Sequence, residues 1–422
     1  SVADDYRNNT TTTGILEVSA GAISGTPNND NLVGTTADDT LDGGAGNDTI
    51  AGGFGNDTLL GGLGDDFLSG GVGADSMVGG DGSDFYYAYD AGDSVTETNA
   101  DPVSGGIDHV FTTLAAYTLG AHVENGTILA TGAANLTGNA LDNRLYAGNG
   151  NNVLDGAGGN DTVSYLYSAS SGVSVSLAIA GAQATGGSGS DTLVAIENLG
   201  GSNQDDSLTG DGKANRLSGE QGNDFLNGGA GNDTLDGGAG NDTLWGGTGA
   251  DSLFGGDGSD SYYVDNAGDG VTETNANLAS GGTDKVFSYL AAYTLGAHIE
   301  NGRILATGAA HLTGNALDNL LEAGTGNNLL NGAGGNDTVS YLYAVSGSGV
   351  SVSLALAGAQ ATGGSGSDTL VAIENLSGSN HDDNLTGDGN ANRLSGAQGN
   401  DFLNGGAGND TLDGGAGNDR LW

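Results

Sequence analysis

The chain has 422 residues, 84 of them glycine, with only 2 prolines and no cysteine, and its 53 acids against 8 bases leave a formal charge of −45. Zero cysteine excludes a disulfide scaffold and a thiolate metal site, and so few bases leave no phosphate-binding surface, hence no nucleic-acid partner. Such a composition fits a disordered acidic linker, except that 36% of the residues are hydrophobic and they recur in register. No apolar run approaches the roughly 18 residues that a transmembrane helix needs.

Residues 1–24 read as an N-terminal tail or linker. Asp4, Asp5 and the run Thr10–Thr13 look like exposed surface, and residues 1–20 lack the basic-then-apolar pattern of a signal peptide. Residues 25–87 hold seven consecutive nonapeptides. In a frame that places the aspartate sixth, position six reads Asp30, Asp39, Asp48, Asp57, Asp66, Asp75 and Asp84, and position eight reads Leu32, Leu41, Ile50, Leu59, Leu68, Met77 and Tyr86. Residues 88–200 form a first spacer, β-rich by the alternation in Val95–Thr98, His109–Leu114 and Gly172–Ala180, with degenerate repeats that put Asn143, Asn152, Asp161 and Asp191 at position six. Residues 201–263 hold seven more units, with Asp206, Asn215, Asp224, Asp233, Asp242, Asp251 and Asp260 sixth. A second spacer, 264–377, carries Asp337 and Asp368. Residues 378–422 hold five units, with Asp383, Asn392, Asp401, Asp410 and Asp419 sixth. Position eight is apolar in all nineteen block units, a regularity that a linker has no reason to keep. A longer repeat lies above the short one: Tyr117–Ala134 returns almost unchanged as Tyr293–Ala310.

A unit of this form divides into six loop residues and three extended ones. Glycines at positions one, two and four permit backbone angles closed to other residues; positions seven to nine suit a short strand whose eighth residue points inward. Two units bring the chain back to its start, so the fold class expected is all-β, a parallel β-roll or β-solenoid of three blocks joined by β-rich spacers. Stacked coils align the aspartates at strand spacing, about 4.8 Å. A cation between them turns repulsion into cross-linking, and an all-oxygen donor set is what calcium prefers over magnesium.

Units such as "GGAGNDTLD" and "GGFGNDTLL" resemble the calcium-binding nonapeptides of RTX (repeats-in-toxin) proteins, and a related calcium-binding β-helix repeat is a known class. The resemblance implies a parallel β-roll with each ion held between a loop and the loop eighteen residues later, and export by type I secretion with folding outside the cell. Its metal ligands would be the block aspartates named above together with Asp161, Asp191, Asp337 and Asp368. Asn215 and Asn392 replace aspartate and should give weaker sites; "GTPNND" and "GTTADD" lack the full glycine set.

No catalytic constellation stands out. None of His109, His122, His298, His311 and His381 lies in a zinc-protease motif, and no G-x-S-x-G elbow occurs. His122 with Glu124, and His298 with Glu300, read as strand residues without catalytic work. Tyr86, Tyr87, Tyr262 and Tyr263 read as aromatic plugs closing the ends of thin cores, with carbohydrate stacking as the alternative. Trp245 and Phe254 fall at position nine and face outward.

These features point to a secreted or extracellular calcium-binding β-solenoid, cell-surface associated, with a structural or adhesive role. The alternatives are the calcium-binding and secretion segment of an exported enzyme whose catalytic domain lies elsewhere, and a surface-layer or filament subunit. Partners left open are a cell-surface or carbohydrate ligand and self-association through exposed solenoid ends; the final block stops five units in, which suggests a longer array. If each ion lies between units two apart, the blocks offer roughly thirteen calcium sites. Loss of a ligand in Asp233→Ala should weaken binding more than Glu97→Ala, where none is expected.

Overall fold

The computed structural model describes residues 16–17, 22–99, 101, 103–167, 171–275, 280–343 and 347–422. Asp4, Asp5 and Thr10–Thr13 of the expected tail lie outside them. Every regular element among the described residues is a strand, and no helix is long and apolar enough to cross a membrane. Two compact units divide the chain, 1–202 and 203–422, and each is a parallel β-solenoid.

In the first unit successive strands alternate between two faces. One face pairs Asn31–Val33, Thr49–Phe54, Phe67–Val72 and Phe85–Ala88 in parallel. The other pairs Ala22–Ser24, Thr40–Ala45, Thr58–Leu63, Ser76–Asp81 and Ser94–Thr96. Position eight meets position eight of the next coil, as in Leu41↔Leu59↔Met77 and Leu32↔Ile50↔Leu68↔Tyr86, and all of these side chains are fully buried. The core is one apolar side chain per nonapeptide, each stabilising by about 1.5–3 kcal/mol.

The strands are longer than the sequence suggests. Six residues, not three, are extended in Thr40–Ala45, Thr49–Phe54 and their equivalents. The ladder runs on wherever a glycine at position two faces another eighteen residues away, as in Gly44↔Gly62 and Gly229↔Gly247. It stops after three residues where position two carries a side chain, as after Asn31–Val33 (Thr35) and Ser207–Thr209 (Asp211). Position two has φ near +100°, 98° at Gly44, and position four is also positive, 112° at Gly46, conformations that glycine adopts freely. In the blocks position one has no positive φ; its glycine serves a different purpose, making room for the aspartate carboxylate.

The spacers join the same sheets with irregular coils. In the first unit the face ending at Phe85–Ala88 continues through His109–Thr112, Asn125–Ile128, Arg144–Tyr146, Thr162–Ser164 and Asn198–Gly200. Opposite lie Ala116–Thr118, Ala134–Thr137, Asn152–Asp155 and Gly189–Val194, the last also pairing antiparallel with Gln183–Gly186. The second unit repeats the plan. Ser207–Thr209, Phe225–Ala230, Thr243–Thr248, Ser261–Val264 and Lys285–Ser288 pair on one face, and Arg216–Ser218, Thr234–Ala239, Ser252–Asp257 and Gly270–Thr272 on the other. Farther on, Asn384–Thr386, Phe402–Asn404 and Arg420–Leu421 stack in turn.

Two sequence expectations fail here. Tyr86 and Tyr262 do not close a core, because Val110 and Val286 pair beyond them and the apolar stack continues. His122 and His298 are not strand residues: both sit in turns at φ 67° and 66°. His109 is packed in an aromatic stack, 4.3 Å from Phe111 and 5.5 Å from Tyr146 between ring centroids, and burial lowers its pKa to about 4.

Candidate metal centre

Each turn between long strands is three residues, and its last is the aspartate: Gly46, Asn47 and Asp48 join Thr40–Ala45 to Thr49–Phe54. Asp48 Oδ1 accepts the Asp30 N–H at 2.7 Å, and the Asp48 N–H donates to Asp66 Oδ1 at 2.7 Å. The same bond links Asp39 to Asp57 and Asp57 to Asp75, then Asp206 to Asp224, Asn215 to Asp233, and Asp224 to Asp242. One oxygen of each accepting carboxylate is thereby fixed to the preceding coil.

The other oxygen is left over. Oδ2 of Asp48, Asp57, Asp66, Asp75, Asp84, Asp161, Asp224, Asp233, Asp242, Asp251, Asp260, Asp337 and Asp401 is buried with no hydrogen-bond partner, a costly state for an ionised group. Position-one glycine explains where it points. A methyl group on Gly43 would collide with Asp48 Oδ2 and lie 2.7 Å from the Gly61 carbonyl oxygen. On Gly237 it would collide with Asp242 Oδ2 and lie 2.8 Å from the Gly255 carbonyl. The orphan carboxylate oxygen and a carbonyl from eighteen residues later therefore converge on one small space that only glycine leaves open. This all-oxygen cradle fits a hard cation such as calcium.

Burial and neighbouring carboxylates raise the acids. Asp48, Asp84 and Asp242 are pushed up to about 6 and Asp66 and Asp224 to about 7, chiefly by burial. Burial also raises Asp57, Asp75, Asp233 and Asp401.

The remaining predicted residues differ in instructive ways. Asp39 Oδ2 accepts the Thr35 N–H at 2.6 Å and its hydroxyl at 2.8 Å, and Asp30 is held likewise by Thr26. Asp383 Oδ2 takes the Ser379 N–H. A hydroxyl residue at position two thus occupies the cradle from within. Where asparagine is sixth, its amide does the bridging: Asn143 Nδ2 donates to the Val123 and Glu124 carbonyls, both at 3.1 Å, and Asn392 Nδ2 to the Glu374 carbonyl at 2.8 Å. Asp191 and Asp368 accept from Thr185 and Thr362 and sit beside Tyr165 and Tyr341 in hydroxyl cages. Asp206 is buried; Asp410 and Asp419, which accept from the N–H groups of Asn392 and Asp401, are half-buried.

Several acids outside the three blocks continue the ladder. Asp93 and Asp269 accept from Asp75 and Asp251. Asp108 and Asp284 accept from Asp84 and Asp260 across 24 residues instead of 18, and Glu124, Glu197, Glu300 and Glu374 serve Asp108, Asp161, Asp284 and Asp337. Glu97, expected from the sequence to lie away from any ligand, is buried with Asp84 and Asp108, their nearest oxygens within 4.8 Å of one another; Glu273, Asp260 and Asp284 repeat the cluster. Glu97 and Asp108 are each pushed up to about 8, by burial first, then Glu97 by the charges of Asp108 and Asp84 and Asp108 by those of Asp84 and Glu124.

Comparison with curated proteins gives no match. Residues 24–59, 52–86, 60–94, 131–165, 200–235, 227–262, 236–269, 313–341 and 386–421, more than half the chain, match the family described as RTX calcium-binding nonapeptide repeat (4 copies). The coil of two nonapeptides, the aspartate ladder and this match agree: the chain belongs to the family of RTX calcium-binding repeat proteins.

Proposed function

We propose that the chain is a secreted, extracellular calcium-binding β-solenoid with a structural or adhesive role, folding outside the cell as calcium fills its turns. The observation that carries this reading is the set of buried aspartate Oδ2 atoms without partners, those of Asp48, Asp57, Asp66, Asp224, Asp233, Asp242 and Asp401 each facing a glycine carbonyl one coil away. Calcium held by these oxygens supplies the positive charge that the stacked acids lack and clamps successive coils. Asp30, Asp39, Asp191, Asp368 and Asp383, already satisfied by N–H or hydroxyl donors, are secondary. Extracellular modules bind at about 0.1–1 mM, so cytosolic calcium leaves the chain unfolded and competent for export. The adhesive reading draws support from the partly exposed aromatic row Phe67, Tyr87 and Phe111 on one sheet, with ring centroids 4.9 and 5.0 Å apart. Limited proteolysis across free calcium tests the proposal: rapid cleavage at micromolar and protection at millimolar calcium is expected, and equal cleavage at both would contradict it.

A further inference from the structure

At the seventh unit of each long block the turn changes chemistry. Position eight, leucine, isoleucine or methionine in the other block units, becomes Tyr86 or Tyr262. The ring fills the core position, since Tyr86 pairs between Leu68 and Val110, but leucine would do that equally well. What tyrosine adds is an oxygen. Tyr86 Oη is buried without a hydrogen-bond partner, in a side chain that is itself fully buried.

That oxygen is aimed at the acid cluster. A methyl group on Gly79 would collide at once with Tyr86 Oη and Asp84 Oδ2 and lie 2.5 Å from Glu97 Oε1; on Gly255 it would collide with Tyr262 Oη, Asp260 Oδ2 and Glu273 Oε1. Each acid divides its oxygens as in the ordinary turns. Asp108 Oδ1 takes the Asp84 N–H at 2.8 Å, and Glu97 Oε2 the Gly80 N–H at 3.3 Å. Asp84 Oδ2 and Glu97 Oε1 remain buried without partners. In the second copy Tyr262 Oη donates to Glu273 Oε1, and Asp260 Oδ2 and Glu273 Oε2 have no partner.

We propose that Asp84, Glu97, Asp108 and Tyr86, and again Asp260, Glu273, Asp284 and Tyr262, form two divalent-cation sites distinct from those of the repeat turns and tighter than them. Three carboxylates converge where an ordinary turn offers one orphan carboxylate oxygen, and calcium affinity rises with ligand charge count. Occupancy ties the last regular turn to the irregular coil, because Glu97 and Asp108 belong to the segment that departs from the eighteen-residue spacing. The proposal rests on the repeat-turn reading for the identity of the ion, calcium, but not for the site.

The test is a calcium titration of the full chain by competition with a chromophoric chelator, with terbium luminescence excited through tyrosine as a second readout. Two ions per chain should bind at least about tenfold tighter than the rest, and the first two terbium equivalents should luminesce. Glu97→Gln with Glu273→Gln should abolish the tight pair while the weaker class persists. Tyr86→Phe with Tyr262→Phe, which preserves core packing, should weaken the pair about tenfold and dim the early terbium signal. A single uniform class in the parent chain, or a tight pair that survives both double variants, would show a protonated structural cluster only and overturn the proposal. No calcium binding of any kind by the parent chain would sink the repeat-turn reading along with it.

Discussion

Replacing one glycine by alanine should have opposite effects at two positions of the same block. At Gly212 an added methyl group meets nothing within 4 Å and the residue is exposed, so Gly212→Ala acts through the unfolded chain and stabilises by about 0.4–1 kcal/mol. At Gly237 the methyl group collides with Asp242 Oδ2 and lies 2.8 Å from the Gly255 carbonyl oxygen. The carbonyl is fixed in the sheet, so the carboxylate must leave. Overpacking costs about 1–3 kcal/mol, and disturbing the charged bond from the Asp224 N–H to Asp242 Oδ1, 2.8 Å long, costs about 1.5–3 kcal/mol more. Net of the same unfolded-state gain, Gly237→Ala should destabilise by roughly 2–5 kcal/mol and remove one calcium ion. Urea denaturation followed by circular dichroism at fixed millimolar calcium compares the two variants directly. Equal midpoint shifts, or a full ion complement in Gly237→Ala, would refute the role assigned to position-one glycine.

Thr35→Gly removes the hydroxyl that caps Asp39 and lets position two take the positive φ that Gly53 has in the next coil, 104°; calorimetric stoichiometry should rise by one calcium, and an unchanged count would refute the capping argument. Asn143→Asp removes two amide bonds to carbonyls and should destabilise the chain by about 1–3 kcal/mol in chelator, with calcium restoring the loss; equal stability with and without calcium would contradict the bridging role of the amide. The metal-free fold should favour acid. Its buried carboxylates titrate at about 6 to 8, above the unfolded value near 4, so between those limits the folded chain holds more protons and loses stability as pH rises. Chelated protein should therefore show more β-structure at pH 5 than at pH 8, while calcium affinity runs the other way because protons and calcium compete. Circular dichroism that is flat with pH in chelator would argue against the raised carboxylates.

The coil and its core were legible because two positions of the nonapeptide each carry one physical demand: an apolar side chain at eight and a carboxylate at six. Strand length was not, since it depends on two glycines facing each other one coil apart, a relation between units and not a property of either. Gly43 and Gly44 look alike in the sequence, yet one makes room for a carboxylate and the other supplies a positive φ. Asp93 keeps the eighteen-residue spacing from Asp75 and could have been found by extending the frame past the block. Asp108 and Glu97 could not, because 24 residues separate Asp84 from Asp108 and a glutamate reaches its place from outside the frame. Gly186–Val194 carries glycine at positions one, two and four and aspartate at six, yet the hydroxyls of Thr185, Ser188 and Tyr165 already hold Asp191, and Thr185 is brought there by the hairpin that pairs Gln183–Gly186 with Gly189–Val194.

The most direct test of calcium-coupled folding is far-UV circular dichroism of the full chain in excess chelator, followed by calcium to several millimolar. With a formal charge of −45, one apolar side chain per nonapeptide in the core and unpartnered buried carboxylates in the turns, the chelated chain at neutral pH should be largely unfolded, and calcium should restore the β-signal in a cooperative transition. A strong β-signal in chelator that calcium leaves unchanged would contradict it.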